Sequence, residues 1–119
     1  MLESVALITG ASRGIGKSIA LRLSEDGFHV MLNDLPTQHE SLVALERDVK
    51  DRGGHAAICL ADVSVETEVQ AMVAKTVKVL GSLDVVGGPA CPPGFNDLIL
   101  RPALPDGRKC RSYYSQAIY

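Results

Sequence analysis

The turn from Thr9 to Gly16 combines residue types and a spacing that suit phosphate binding. It reads Thr-Gly-Ala-Ser-Arg-Gly-Ile-Gly, follows the apolar run 5–8 and opens a segment with helical periodicity. Gly10 can adopt backbone angles that other residues avoid, and the two later glycines lack a Cβ, so that a pyrophosphate and the neighbouring strand can approach the helix closely. The first turn of a helix also offers unpaired N–H groups and a positive dipole end to phosphates. The pattern predicts a nucleotide phosphate loop, with a tight turn that binds nothing as the alternative.

Two acidic positions follow the next apolar runs. Asp34 ends the run 28–32 and lies eighteen residues after Gly16, close to the spacing expected for an acid that binds a ribose. A carboxylate there can accept hydrogen bonds from both hydroxyls of an adenosine ribose, although an aspartate before Pro36 can also be an ordinary solvated loop residue. Asp62 comes directly after the third run, 56–60, and is followed by Val63.

With these residues the chain resembles the short-chain dehydrogenase/reductase family over about residues 1–86. That family carries Thr-Gly-x-x-x-Gly-x-Gly at its first turn, an acid after the second strand when it prefers NAD, and Asp-Val after the third. The stretch 31–36, Met-Leu-Asn-Asp-Leu-Pro, looks like the acetoin/diacetyl reductase-like branch. The resemblance implies an NAD cofactor, with NADP as the alternative because Arg13 could pair with its additional phosphate.

The resemblance also implies which residues hold that cofactor. The phosphates would contact the loop, the ribose would contact the acid after the second strand, and the adenine would lie near the Asp-Val pair. The candidate cofactor-binding residues are Gly10, Ser12, Arg13, Gly14, Ile15, Gly16, Asp34, Asp62 and Val63.

Strands and helices alternate through the first part of the chain, which predicts β-α-β units and a parallel sheet. We expect strands at 5–9, 28–33, 56–60 and 83–86. We expect helices at 14–26, from Thr37 and after Ser64, the second of them with a Thr37-x-x-Glu40 capping box. The fold class is α/β, a partial Rossmann-like sheet of strand order 3-2-1-4, with the nucleotide at the switch between strands one and four.

Apolar residues at helical spacing predict which side of each helix faces the core. One stripe is expected on each of the three helices. The stripes consist of Ile15, Ile19 and Leu23 in the first helix, of Leu42, Leu45 and Val49 in the second, and of Val69, Met72, Val73, Thr76 and Leu80 in the third.

The sequence changes character after Val86. Residues 1–87 carry eight basic and twelve acidic side chains, whereas residues 88–119 carry four and two and contain five of the six prolines. We therefore divide the chain into an NAD(P)-binding Rossmann-like segment, 1–87, and a divergent proline- and glycine-rich tail, 88–119, predicted to be irregular. Strand four would then form an exposed edge of the sheet, which favours poor solubility or self-association.

The resemblance places the family's catalytic groups, a serine and a Tyr-x-x-x-Lys pair, beyond this point. Tyr113 and Tyr114 are followed four residues later by Ala117 and Ile118, and no lysine follows Lys109. We therefore assign no catalytic residue. Three cysteines and three histidines without ligand spacing indicate neither a disulfide framework nor a metal site.

Composition excludes several classes of partner. The net charge of −2 indicates no nucleic acid or anionic membrane as partner, and no apolar run is long enough for a membrane span. The expected location is cytoplasmic. The expected partners are the dinucleotide and, through the open sheet edge, a second copy or a full-length relative.

Three functions remain open from the sequence. The first is a truncated short-chain dehydrogenase/reductase-like oxidoreductase that binds NAD(P), whose family reaction is hydride transfer between a nicotinamide and a carbonyl or alcohol, but which is itself inactive. The second is a non-catalytic module that binds a dinucleotide or a partner chain. The third is a non-functional truncated product.

Overall fold

The computed structural model describes residues 4–88 and the strand at 111–114. Five strands alternate with three helices and one 3-10 turn. The strands are β1 (Val5–Ile8), β2 (His29–Asp34), β3 (Ala56–Leu60), β4 (Val85–Gly88) and β5 (Arg111–Tyr114). The helices are α1 (Gly14–Glu25), α2 (His39–Asp51) and α3 (Glu66–Leu80), and the 3-10 turn is Pro36–Gln38.

All strand pairs are parallel, in the order β3-β2-β1-β4-β5. This order contains the predicted 3-2-1-4 arrangement and has the α/β, Rossmann-like class expected from the sequence. The chain runs outward from β1 through β2 to β3 and then crosses back to β4 on the other side of β1. The direction of the connections therefore reverses between β1 and β4, which is where nucleotides bind in such sheets.

The fifth strand differs from the irregular tail predicted after residue 87. Residues 111–114 pair with β4, with Arg111 beside Val85 and Tyr114 beside Gly88. The expectation that β4 forms the exposed edge of the sheet is therefore wrong. The physical reason is that β4 presents a row of unpaired N–H and C=O groups, and a short run with two tyrosines has the strand propensity to pair with them. The rest of the tail lies outside the described residues.

The sheet is covered on both faces, as a parallel sheet requires. On one face α3 packs Val69 and Met72 against a cluster that includes Leu7 and Met31. On the other face α1 and α2 pack against alternate residues of the same strands, including Ile8. Because successive strand residues point to opposite faces, nearly every β1 and β2 side chain is buried. The predicted α2 stripe of Leu42, Leu45 and Val49 is buried.

Two helix predictions need correction. The predicted capping box does not form, because Pro36 begins a 3-10 turn and α2 starts only at His39 without a side-chain cap. In α1 the fully buried residues are Gly16 and Ala20, while the predicted stripe of Ile15, Ile19 and Leu23 is only half-buried. Small residues face the sheet here because they let the helix axis approach the strands.

No helix in the described part of the chain has the length and apolar character needed to span a membrane.

Candidate phosphate and ribose site

The phosphate loop leaves the carboxyl end of β1 in a fixed conformation. Thr9 is buried, and its amide donates to the carbonyl of Gly87 in β4 at 2.9 Å. Gly10 then adopts a φ of 60°, a left-handed conformation that favours glycine, and the amide of Ala11 donates to the carbonyl of Asn33 at 2.9 Å. The loop is therefore attached to both neighbouring strands before the helix begins.

The amino end of α1 is open to an anion. Arg13 precedes the helix in an extended conformation, is exposed, and supplies no side-chain cap. The first-turn amides of a helix have no partner within it, and these belong to candidate residues Gly14, Ile15 and Gly16. Uncapped amides at the positive end of a helix dipole suit a phosphate oxygen, so the local structure fits the dinucleotide that the loop sequence predicts.

Gly14 and Gly16 each require glycine for a different structural reason. A Cβ on Gly16 would collide with the carbonyl oxygen of Gly10, so only glycine permits α1 to start this close to the turn. Gly14 has a φ of 58°, and a Cβ built there meets no atom of the described residues within 4 Å. The space beside Gly14 is thus free for a ligand, whereas the space beside Gly16 is filled by the loop itself.

Asp34 lies at the carboxyl end of β2, directly beside the phosphate loop. Its Oδ2 accepts two hydrogen bonds from Ser12, one from the backbone amide at 3.2 Å and one from the hydroxyl at 2.5 Å. Its Oδ1 accepts the amide of Leu35 at 2.8 Å. The structure therefore brings the predicted ribose acid and the predicted phosphate loop into direct contact. It also shows the carboxylate already bonded to this chain's own donors, which spacing alone did not indicate.

A buried asparagine, for which the sequence predicted no role, joins the end of β2 at Asp34 to the third loop. Asn33 is 1% exposed, and its side-chain amide donates to the carbonyls of Cys59 at 3.0 Å and Ala61 at 3.3 Å. The amide of Ala61 in turn donates to the Asp34 carbonyl at 3.1 Å. A polar residue at a position where the strand is otherwise apolar was the available signal.

The third loop holds the two candidate adenine residues, Asp62 and Val63. The carboxylate Oδ1 of Asp62 accepts the amide of Ser64 at 2.9 Å and its hydroxyl at 2.6 Å, and these bonds lower the pKa of Asp62. The Asp62 amide donates to Glu68 of α3 at 3.1 Å. Val63 packs at the margin of the core cluster beneath α3. The loop is thus held in one conformation at the same edge of the sheet as Asp34.

Replacement of Ser64 by alanine is expected to raise the pKa of Asp62 towards its usual value, because the stronger of the two bonds to the ionised carboxylate is removed. A folded-state pKa below the unfolded value stabilises the protein above that unfolded pKa and ceases to do so as the pH falls through the folded value. Carboxyl chemical shifts followed by NMR between pH 2 and 6 would measure the change. An unchanged Asp62 titration in the variant would show that the hydroxyl bond is not formed in solution, and Ser41→Ala serves as the control.

Other reactive side chains in the described residues do not gather into a second centre. Cys59 is buried in β3, as predicted, and burial raises the pKa of its thiol despite the nearby Lys75. The rings of His29 and His55 lie with centroids 4.4 Å apart at the opposite end of the strands. Among residues 4–88 and 111–114 no group of three or more metal-ligating side chains is present.

A comparison with protein families matches the short chain dehydrogenase model over residues 4–92. Among curated relatives, a short-chain dehydrogenase/reductase of Armillaria gallica is 50% identical over 82 residues, which are 69% of this chain and 31% of that protein. A 3-oxoacyl-[acyl-carrier-protein] reductase of Staphylococcus aureus is 42% identical over 81 residues, 68% of this chain and 32% of the relative.

Solved structures give the same match. A dehydrogenase/reductase from Sinorhizobium meliloti superposes with a TM-score of 0.71 at 32% identity, covering 76% of this chain and 35% of the other. A 7α-hydroxysteroid dehydrogenase, complexed with NADH and 7-oxo glycochenodeoxycholic acid, superposes with a TM-score of 0.68 at 30% identity, covering 72% and 33%. The chain spans about a third of the length of these relatives. By the family match and the geometry together, it belongs to the short-chain dehydrogenase family.

Proposed function

We propose that this chain binds an adenine dinucleotide, NAD in preference to NADP, at the carboxyl edge of its sheet. The observation that carries the proposal is the direct contact between the phosphate loop and Asp34. Because Ser12 of this loop is bonded to Asp34, a phosphate at the uncapped end of α1 and a ribose at Asp34 could belong to the same nucleotide. Asp62 and Val63 provide the adjoining surface for the adenine.

The preference for NAD rests on charge. The additional 2′-phosphate of NADP would lie beside the carboxylate of Asp34, and an unfavourable contact between like charges can cost several kcal/mol. Arg13 acts in the opposite direction, because it is exposed at the loop and can pair with a phosphate. Asp34 is fixed in place by three hydrogen bonds whereas Arg13 has no described partner, so we infer that the carboxylate decides.

An Asp34→Ala variant is expected to shift the ratio of NAD to NADP affinity towards NADP by at least about tenfold, which corresponds to ~1.4 kcal/mol. Removal of the carboxylate takes away both the acceptor for the ribose and the charge that repels the phosphate. Isothermal titration calorimetry with each cofactor would measure the two affinities. Asp51→Ala, which removes an exposed charge at the end of α2, is the control. Tighter binding of NADP than of NAD by the unaltered chain would contradict the proposed preference.

The family's reaction is hydride transfer, for which the bound nicotinamide supplies or accepts the hydride. This chain's described residues would hold and orient the cofactor, while the given sequence contains no Tyr-x-x-x-Lys pair to serve the substrate oxygen. We therefore infer a cofactor-binding chain with little catalytic power of its own. The acetoin/diacetyl reductase-like branch is supported by the stretch 31–36 alone, and it supplies the substrates for an activity test.

The second candidate function is partner binding, with another chain of the same family as the partner. It is supported by a shallow groove of about 590 Å³ on α1, whose lining residues are Gly14, Ile15, Ser18, Ile19, Arg22 and Leu23. These side chains are half-buried, whereas the apolar stripe of α2 is fully buried. The matched part of this chain covers only about a third of each relative, and the relatives' remaining residues could cover this face.

A further inference from the structure

The hydrogen bonds already made by Asp34 leave few acceptor positions for a ligand. An ionised carboxylate has about four lone-pair positions, two on each oxygen. The amide and the hydroxyl of Ser12 occupy both positions on Oδ2, and the amide of Leu35 occupies one on Oδ1. A ribose with free 2′- and 3′-hydroxyls offers two donors, so one of the three protein donors must give way before both can bind.

Only one of these donors can move without moving the backbone. The amide of Ser12 is fixed by its neighbour Ala11, which is bonded to β2, and the amide of Leu35 is fixed by the following proline turn. The hydroxyl of Ser12 can rotate about a single side-chain bond. Ser12 is 7% exposed, so in the free protein its hydroxyl depends on Asp34 rather than on water as its acceptor.

We propose that Ser12 is a specificity-determining residue that competes with the adenosine ribose for Asp34. This inference rests on the proposed function, because it concerns the same nucleotide. Binding of an unphosphorylated ribose displaces the Ser12 hydroxyl from Oδ2, and the loss of that hydrogen bond lowers the affinity for NAD. The ribose of NADP keeps only its 3′-hydroxyl as a donor, and the vacant position on Oδ1 can accept it, so NADP binding does not require this displacement. Ser12 thereby narrows the preference for NAD that Asp34 creates.

The test compares ADP with 2′-deoxy-ADP as probes. The two differ only in the 2′-hydroxyl of the ribose, so 2′-deoxy-ADP offers Asp34 one donor instead of two. Calorimetry on the unaltered chain and on Ser12→Ala measures whether the protein hydroxyl and the ligand hydroxyl interact. We expect Ser12→Ala to bind ADP and NAD about tenfold more tightly, which is ~1.4 kcal/mol. Binding of 2′-deoxy-ADP is expected to improve much less, and binding of NADP to stay the same or weaken. Ser41→Ala, an exposed serine of α2, is the control.

Each outcome decides the inference. Weaker ADP binding by Ser12→Ala would mean that the hydroxyl orients Asp34 for the ribose instead of competing with it, and equal changes for ADP and 2′-deoxy-ADP would also overturn the competition. Ser12→Cys, nearly the same size but a poor donor, gives the same comparison if the alanine variant is too unstable to measure. Failure of the unaltered chain to bind ADP or NAD would refute the proposed function itself, which is a distinct result from binding without coupling.

Discussion

Purified protein is expected to reduce diacetyl or acetoin with NADH or NADPH at least a hundredfold more slowly than a working enzyme, whose turnover is about one per second or faster. The reason is the absence of the Tyr-x-x-x-Lys pair, because a positioned acid contributes roughly a hundred- to ten-thousand-fold. Stopped-flow or steady-state absorbance at the nicotinamide band, at saturating cofactor, would measure the rate. Turnover at the rate of ordinary enzymes would contradict the expectation.

The structure supplies the variant that makes this measurement informative. β5 places Tyr114 beside Gly88, at the same carboxyl edge of the sheet as the phosphate loop. If turnover is found and Tyr114→Phe abolishes it while Tyr113→Phe does not, Tyr114 is the acid. If turnover survives both changes, another group on this chain performs the proton transfer. Binding of NAD should be the same in both variants, which separates a loss of chemistry from a loss of cofactor.

Replacement of Gly16 by alanine is expected to lower the melting temperature by roughly 10 to 20 °C. The added methyl group would collide with the carbonyl of Gly10, and an overpacked backbone contact costs about 3 kcal/mol. Gly10 is held in place because the amides of its neighbours Thr9 and Ala11 are bonded to adjacent strands, so α1 must move outward to make room. Thermal unfolding followed by circular dichroism would measure the loss of stability.

Gly14→Ala is the matched control for this variant, since the same methyl group there meets nothing within 4 Å. Its expected loss of stability is about 1 kcal/mol, from the left-handed backbone that glycine adopts at this position. Cofactor binding should separate the two positions as well, because a methyl group on Gly14 would enter the space that we propose a phosphate occupies. Equal losses of stability in both variants would show that close packing at Gly16 is not what the loop requires.

The sequence determined the features that depend on local order along the chain. Alternating apolar runs and helical stripes predicted the parallel sheet with β2, β1 and β4 adjacent, because right-handed crossovers leave few other arrangements. Glycine spacing predicted the tight turn at the candidate phosphate loop, since the φ of 60° at Gly10 favours glycine and the contact at Gly16 leaves no room for a Cβ. Asp34, at the end of β2, was predicted in the same way, from the number of residues that separate it from the loop.

Tertiary structure alone decided which groups bond to Asp34. Ser12 lies 22 positions before Asp34, and the two residues meet because the carboxyl ends of β1 and β2 are adjacent in the sheet. The same applies to Asn33, whose amide links β2 to the loop after β3, and to β5, which pairs with β4 although 22 residues separate them. Such contacts have no periodic signature in the sequence. They arise because a parallel sheet brings the carboxyl ends of distant strands to one edge, where unsatisfied polar groups bond to whichever neighbour the register supplies.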